Sequence, residues 1–120
     1  MKLSYFEWYG DAEAIRMMLS HAGIEFEDHR VLKEEWATMK DETHFGDLPI
    51  LELDDGTKLY KCGPIVNYVA NLCGFEPTDP MQLYKSGVLY ETIFIDMLFA
   101  KFPKAMFGYA YGATGEEQKW

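Results

Sequence analysis

Two cysteines carry the most reactive side chains of this 120-residue sequence. Cys62 and Cys73 lie eleven residues apart and no CxxC motif is present, so we predict two reduced thiols rather than a disulfide framework. Cys62 follows Lys61 directly and lies just before a predicted helix. A helix N-terminus and a neighbouring ammonium both stabilise a thiolate, so Cys62 could form mixed disulfides. The alternative is a cysteine without a chemical role.

Aromatic and basic side chains form a second group of interest. Tyr5 lies in the first predicted strand, where its hydroxyl can donate to a ligand or bond to any nearby protein group. Trp36 and Lys40 are four residues apart and share one face if their segment is helical. An ammonium on such a face can pair with a carboxylate, although a solvated lysine beside a surface tryptophan fits the same spacing.

Acidic residues dominate the charge of the chain. The formal net charge is −9, and fourteen of the 20 acids fall in residues 1–60 against six bases. A surface of this sign repels polyphosphates, which excludes nucleic acid as a partner. The chain opens on strand-like sequence without a signal peptide or transit segment, and together with two reduced thiols this leads us to expect a cytoplasmic protein.

The elements that would position these residues follow the order β-α-β, an irregular segment, then β-β-α. Alternating apolar and polar residues predict strands at 2–6, 24–30, 48–53 and 57–60. Apolar residues at helical spacing predict helices at 11–22 and 64–72. Residues 31–46 are polar and irregular, with a short helical stretch predicted at 34–40. Asp54-Asp55-Gly56 is typical of a hairpin turn. We therefore predict an α/β fold in which one mixed four-stranded sheet is packed with helices.

Pro49 stands at the entry of the third predicted strand. Proline cannot donate to a central ladder, so its position indicates either an edge strand or a special backbone conformation. A cis bond before Pro49 is the candidate conformation, with an ordinary edge-strand proline as the alternative.

The last third of the chain has a different character. Residues 75–80 indicate a linker, in which Asp79 is the expected N-cap and Pro80 the first helical residue. A long helix is predicted over residues 81–101. Its apolar side chains cover nearly the whole circumference, so most of its surface requires burial.

Charged residues decide what can bury that helix. Glu91, Asp96 and Lys101 interrupt the apolar run, which excludes a membrane span. Residues 81–120 are therefore predicted to begin a helical domain that a further segment or a partner subunit covers.

Six stretches, in this order and spacing, resemble the N-terminal domain of the cytosolic glutathione transferases. They are KLSYF at 2–6, GDAEAIR at 10–16, EFEDHRV at 25–31, EEW at 34–36, FGDLPILELDDG at 45–56 and IVNYVA at 65–70. The sigma class, which includes the glutathione-dependent prostaglandin D synthases, is the most similar. The resemblance implies a thioredoxin-like domain over residues 1–74, followed at 81–120 by the incomplete beginning of an all-helical domain.

The resemblance also implies a detoxifying transferase activity. Tyr5 matches the catalytic tyrosine of the family, whose hydroxyl stabilises the thiolate of glutathione. That thiolate would attack a small electrophile or isomerise a peroxide. No metal or bound coenzyme is implied, because glutathione acts as a cosubstrate, and a homodimer is expected.

Further positions match the glutathione subsites of the family. They are Trp36 and Lys40 at the glycyl end, Leu48 and the cis-proline Pro49 at the cysteinyl part, and Lys61 and Cys62 at the γ-glutamyl carboxylate. Asp96 could match the acid that reaches the γ-glutamyl amine of glutathione from the facing subunit. Asp96 could equally be a lone acid on a crowded helix.

Four residues, at three places in the chain, depart from the family pattern. Lys61-Cys62 replaces a Gln-Ser or Glu-Ser pair, and a thiol donates more weakly than a hydroxyl, although the Lys61 ammonium could compensate. Asp11 replaces an arginine that supports the tyrosine, and a carboxylate there disfavours a thiolate. Asp47 stands where relatives often carry a basic or polar residue.

These departures define the alternatives. A non-catalytic relative, a binding or structural module like the lens crystallins of this family, is favoured by Asp11 and the Lys61-Cys62 pair, because these changes damage thiolate activation more than folding. A thioredoxin-like oxidoreductase would need a cysteine at the mouth of the first helix, and residues 9–12 contain none. Similarity of fold alone does not separate these functions.

Overall fold

A mixed four-stranded sheet forms the frame of the N-terminal part of the molecule. The computed structural model describes residues 1–93, and the chain divides into two compact units between Glu76 and Pro77. The strands are β1 (Lys2–Phe6), β2 (Glu27–Val31), β3 (Ile50–Glu52) and β4 (Lys58–Tyr60). Their order in the sheet is β2-β1-β3-β4, with β1 parallel to β2 and the other pairs antiparallel. The predicted α/β class and mixed sheet are confirmed.

Helices follow the predicted order. In the first unit they are α1 (Glu13–His21), which a 3-10 turn at Gly10–Ala12 precedes, then α2 (Lys33–Glu42) and α3 (Cys62–Leu72). The side chains that are most completely buried come from β1, β2, β3, α1 and α3, and the segment before β3: Leu3, Ile15, Leu19, Val31, Pro49, Leu51, Ile65 and Val69. Apolar residues on one face of α1 and of α3 therefore form the core together with the sheet.

The second strand begins three residues later than predicted, because the segment before it completes helix α1. Gly23 adopts a φ of 68° and donates to the Ser20 carbonyl at 3.1 Å. Ile24 donates to the Leu19 carbonyl at 3.0 Å. These two bonds are a Schellman cap, which satisfies carbonyls at the helix end and removes Ile24 from the sheet.

Two further boundaries differ from the prediction. Helix α3 begins at Cys62 rather than at residue 64, since the Ile65 N–H already bonds to the Lys61 carbonyl at 3.1 Å. Strand β3 is shorter than the predicted 48–53, because Leu53 enters the hairpin turn and donates to the Thr57 carbonyl at 2.8 Å.

The second unit begins with helix α4 (Pro80–Tyr90). The Asp79 carboxylate accepts a hydrogen bond from the Gln82 backbone N–H at 2.9 Å, and Pro80 occupies the first turn, so the predicted cap is confirmed. A π-helical turn follows at 91–93. The predicted continuation to residue 101 and the candidate residue Asp96 lie outside the described residues.

Candidate functional site

The hydroxyl of Tyr5 marks the centre of the site. Tyr5 lies near the carboxyl end of β1 and is 4% exposed. Its oxygen accepts a hydrogen bond from the backbone N–H of Asp11 at 3.2 Å. Hydrogen bonds in a chain polarise one another, so this bond makes the Tyr5 O–H a better donor.

Gly10 allows this approach of the loop to the ring. Its φ is +42°, a conformation that side chains disfavour. A Cβ atom at this position would lie 2.6 Å from the Tyr5 hydroxyl oxygen, well inside contact distance. Glycine at position 10 is therefore required by the geometry around Tyr5.

Arg16 of α1 supports the site and was not singled out from the sequence. It is 6% exposed, and its guanidinium carbon lies 5.8 Å from the centroid of the Tyr5 ring. Its Nη1 donates to the carbonyls of Trp8 and Tyr9, both at 3.2 Å. Arg16 thus fixes the loop that leaves β1. The available signal was a basic residue between the core positions Ile15 and Leu19.

An acid on β2 balances the charge of this buried arginine. Arg16 Nε donates to Asp28 Oδ1 at 2.9 Å, and Arg30 Nε donates to Asp28 Oδ2 at 2.8 Å. Burial opposes ionisation of Asp28, but the hydrogen bonds and positive charges of Arg16 and Arg30 outweigh it and lower the pKa of this carboxyl. Asp28 therefore stays ionised beneath the loop.

Asp11 connects the tyrosine to the start of α3. Its N–H donates to Tyr5, and its carbonyl accepts from the Cys62 thiol at 3.3 Å. Both contacts use main-chain atoms, so they persist although the side chain departs from the family pattern. Burial raises the pKa of the Asp11 carboxyl.

Lys61 is held by an acid and a ring from the loop before β3. Its backbone has a φ of 70° and forms the N-cap of α3. Its ammonium contacts the Asp47 carboxylate and lies 5.0 Å from the centroid of the Phe45 ring. The predicted neighbours Lys61 and Cys62 therefore point to different partners, Asp47 and Asp11.

The bond between Leu48 and Pro49 is cis, as the sequence analysis suggested. Pro49 is fully buried and lies directly before β3, so the central ladder loses no donor.

Trp36 and Lys40 lie on helix α2, which confirms their shared face. The Trp36 ring meets the Phe6 ring edge-on, with centroids 5.6 Å apart. A Cβ atom on Gly46 would lie 3.8 Å from Cε of Lys40, so the lysine extends towards the loop that carries Asp47. In the described part of the chain, no His, Cys, Asp and Glu cluster could hold a metal ion. No helix among residues 1–93 is long and apolar enough to cross a membrane.

Comparison with known proteins decides the family. The model of the glutathione S-transferase N-terminal domain matches residues 1–71. The chain belongs to the glutathione S-transferase family. Glutathione S-transferase 1 of Ascaris suum is 38% identical over 81 residues, which cover 68% of this chain and 39% of the relative. The hematopoietic prostaglandin D synthase of Gallus gallus is 35% identical over 92 residues, which cover 77% of this chain and 46% of that protein.

Solved structures agree with this assignment. A glutathione S-transferase of the hookworm Necator americanus, described as monomeric, superposes with a TM-score of 0.77 at 34% identity. The match covers 93% of this chain and 55% of the hookworm chain. The thioredoxin-like fold of the transferase N-terminal domain is thereby confirmed. The chain spans about half or less of the length of the curated relatives it matches.

Proposed function

We propose that this chain binds glutathione and that Tyr5 stabilises its thiolate. The observation that carries the proposal is the Tyr5 hydroxyl, which accepts from the Asp11 N–H at 3.2 Å beside the Arg16 guanidinium. A hydrogen bond accepted by the oxygen polarises the O–H and makes it a better donor to sulfur. A free thiol has a pKa of about 8.5, so donation to the thiolate raises its population at neutral pH.

The proposed reaction is conjugation to a small electrophile or isomerisation of a peroxide. With an activated aryl halide, the glutathione sulfur forms a bond to carbon, the carbon–halogen bond breaks, and halide leaves with the electron pair. The thiol proton passes to solvent. Glutathione is the cosubstrate, and the chemistry requires no bound coenzyme.

The tripeptide would lie across the residues that the resemblance indicates. Trp36 and Lys40 on α2 would hold its glycyl end, and the backbone of Leu48 before Pro49 its cysteinyl part. The N-terminus of α3, with Lys61 and Cys62, would hold the γ-glutamyl carboxylate. Asp96 would reach the γ-glutamyl amine of glutathione bound to the facing subunit.

Calorimetric titration with glutathione tests the proposal. The wild-type chain should bind, and the ultraviolet absorption of bound glutathione should show thiolate at neutral pH. Tyr5→Phe should bind with similar affinity but return the bound thiol to a pKa near 8.5. Lys61→Ala should weaken binding, while Cys62→Ser, which restores the stronger donor, should strengthen it. No binding at millimolar glutathione would refute the proposal.

A non-catalytic transferase-like protein is the second candidate. Asp11, whose backbone N–H bonds to Tyr5, and the Lys61-Cys62 pair favour it, because both changes affect thiolate activation more than folding. Glutathione binding without thiolate absorption or turnover of an activated aryl halide would identify this function.

We further propose a sigma-like, cytoplasmic homodimer with a detoxifying role. Its two domains would be residues 1–74 and residues 81–120, joined by a linker at 75–80. In the second unit, α4 contains no buried residue and exposes Leu83 at 43% and Leu89 at 62%. Apolar surface of this kind needs cover from a partner or a further segment.

A further inference from the structure

Helix α2 has little of its own to fix it to the sheet. None of its ten residues is buried. Its N-cap is Leu32, and within the described residues no side chain caps the first turn. A short, polar helix of this kind is marginal in isolation and depends on tertiary contacts for its position. Whatever attaches α2 therefore also positions the side chains that it carries.

A chain of three polar side chains provides such an attachment. Ser4 and His29 are register partners on β1 and β2, and Ser4 Oγ lies 3.0 Å from His29 Nδ1. On its other side, His29 Nε2 lies 3.0 Å from Glu35 Oε1 on α2. The imidazole thus joins the central strand of the sheet to the first turn of the helix.

The chemistry of the ring keeps both contacts in either protonation state. Neutral His29 can donate from Nε2 to Glu35 while Nδ1 accepts from the Ser4 hydroxyl. Protonated His29 donates from both nitrogens, because the hydroxyl of Ser4 can also accept. The attachment therefore does not depend on which of the two states the ring adopts.

A serine, a histidine and an acid also suggest nucleophilic catalysis, but the surroundings oppose it. Ser4 is 7% exposed in the middle of β1, which has strands on both sides. An acyl substrate would need open space beside Ser4 Oγ, and a central strand offers none. The triad therefore has a structural effect on its neighbours rather than a reaction of its own.

The neighbours are the residues of the proposed glutathione site. Ser4 precedes Tyr5 on β1, and Glu35 precedes Trp36 on α2, whose ring already contacts Phe6. We propose that His29 is a positioning residue, which ties α2 to the sheet and thereby sets how tightly the glycyl end of glutathione is held. This inference rests on the proposed function, because the ligand is the one assigned there.

The test compares two ligands on matched variants of the full chain. Glutathione and γ-glutamylcysteine differ only in the glycyl residue, which α2 would contact. Glu35→Ala removes the partner of His29, and Glu34→Ala is the control, since both acids lie in the first turn of α2 and interact alike with its dipole. Glu35→Gln keeps an acceptor oxygen for Nε2–H and should show an intermediate effect.

If His29 positions α2, the loss of affinity should depend on the glycyl residue of the ligand. Glu35→Ala should weaken glutathione about five-fold and leave γ-glutamylcysteine unchanged, with Glu34→Ala close to wild type. Equal weakening of both ligands, no weakening, or the same loss in Glu34→Ala would overturn it. If wild type binds neither ligand, the proposed function fails and the inference fails with it.

Hydrogen exchange provides a second measurement that needs no ligand. Backbone amides of Lys33–Glu42 should exchange faster in Glu35→Ala than in Glu34→Ala, while those of β1 keep their protection. Identical exchange of α2 in the two variants would show that His29 does not attach the helix, whatever the ligand does.

Discussion

The two ends of the proposed glutathione site are built in opposite ways. At the tyrosine end, Tyr5 and Arg16 are buried, and their partners are largely main-chain groups of the loop after β1. At the α2 end, no helical residue is buried, and attachment depends on side chains such as His29 and Glu35. The geometry of the tyrosine end is therefore set by packing, whereas single surface residues can adjust the position of the α2 end.

Gly10→Ala should have the largest effect, because it acts where packing sets the geometry. The new Cβ atom would lie 2.6 Å from the Tyr5 hydroxyl oxygen at a φ of +42°. Strain and clash together should lower the free energy of unfolding by about 2–4 kcal/mol and abolish glutathione thiolate formation. Urea unfolding and thiolate absorption would measure the two effects.

Gly46→Ala is the matched control at the α2 end. Its φ is +63°, but its nearest neighbour would be Cε of Lys40 at 3.8 Å, an ordinary contact. We expect only the strain, about 1 kcal/mol, with thiolate formation retained. Equal losses in the two variants would mean that the contact with Tyr5 has no special role.

Asp28→Asn should be next in size. The pKa of Asp28 is lowered in the folded protein by Arg16 and Arg30, so its ionised form stabilises the fold above the unfolded-state pKa of about 4. This contribution is lost as the pH falls through the lower folded-state pKa. Near pH 7 the variant should lose about 1–2 kcal/mol, because Arg16 is left partly unpaired beneath the loop.

Unfolding in urea at several pH values would check the sign. The difference between wild type and Asp28→Asn should shrink as the pH falls below about 4 and on through the lower folded-state pKa of Asp28, below which both proteins carry an uncharged group at residue 28. Asp41→Asn, on the exposed α2 end, should stay within about 0.5 kcal/mol throughout. A difference for Asp28→Asn that is independent of pH would exclude the ion-pair explanation.

The same contrast explains what the sequence could predict. Periodicity in KLSYF and in the α1 and α3 stretches predicted the order of elements, because burial on one face requires that spacing. Tyr5, Pro49 and the shared face of Trp36 and Lys40 follow from short local patterns. Residues whose position depends on local structure could therefore be predicted from the sequence.

Long-range pairs could not be predicted in this way. Arg16 on α1 bonds to Asp28 on β2, twelve residues further along the chain, and His29 meets Ser4 only through the register of two parallel strands. Lys61 reaches Asp47 from a backbone with a φ of 70°. The strand and helix ends were misplaced for a related reason, since caps such as the one at Gly23 depend on which carbonyls remain to be satisfied.

Asp11→Asn tests how the charge of Asp11 affects the tyrosine end of the site. Burial raises the pKa of Asp11 in the folded protein, so its charged form costs stability above that pKa and none below the unfolded-state pKa. The variant should gain up to about 1 kcal/mol at neutral pH, and its bound glutathione should be more ionised, because a nearby carboxylate disfavours a thiolate.

Thiolate absorption against pH would measure this, with Asp54→Asn as an exposed control. The N–H bond from residue 11 to Tyr5 is unaffected by the change, so a loss of thiolate would contradict the assignment of Asp11 as an unfavourable charge.

Asp47→Asn should have the smallest effect, because it changes a partly exposed ion pair beside the N-terminus of α3. The Lys61 ammonium contacts the Asp47 carboxylate, and both side chains are only partly exposed, at 50% and 39%. Glutathione carries two carboxylates and one ammonium at neutral pH, so a carboxylate of the ligand competes with Asp47 for Lys61. Removing the charge of Asp47 should raise affinity about two- to three-fold, less at high salt.

A double variant separates competition from simple repulsion. If Asp47 acts by occupying Lys61, the gain from Asp47→Asn should disappear in a Lys61→Met background, because no ammonium remains to be released. A gain that persists there would mean that Asp47 repels the ligand directly. A fall in affinity would instead place Asp47 beside the ligand ammonium. Asp47 would then bind glutathione directly.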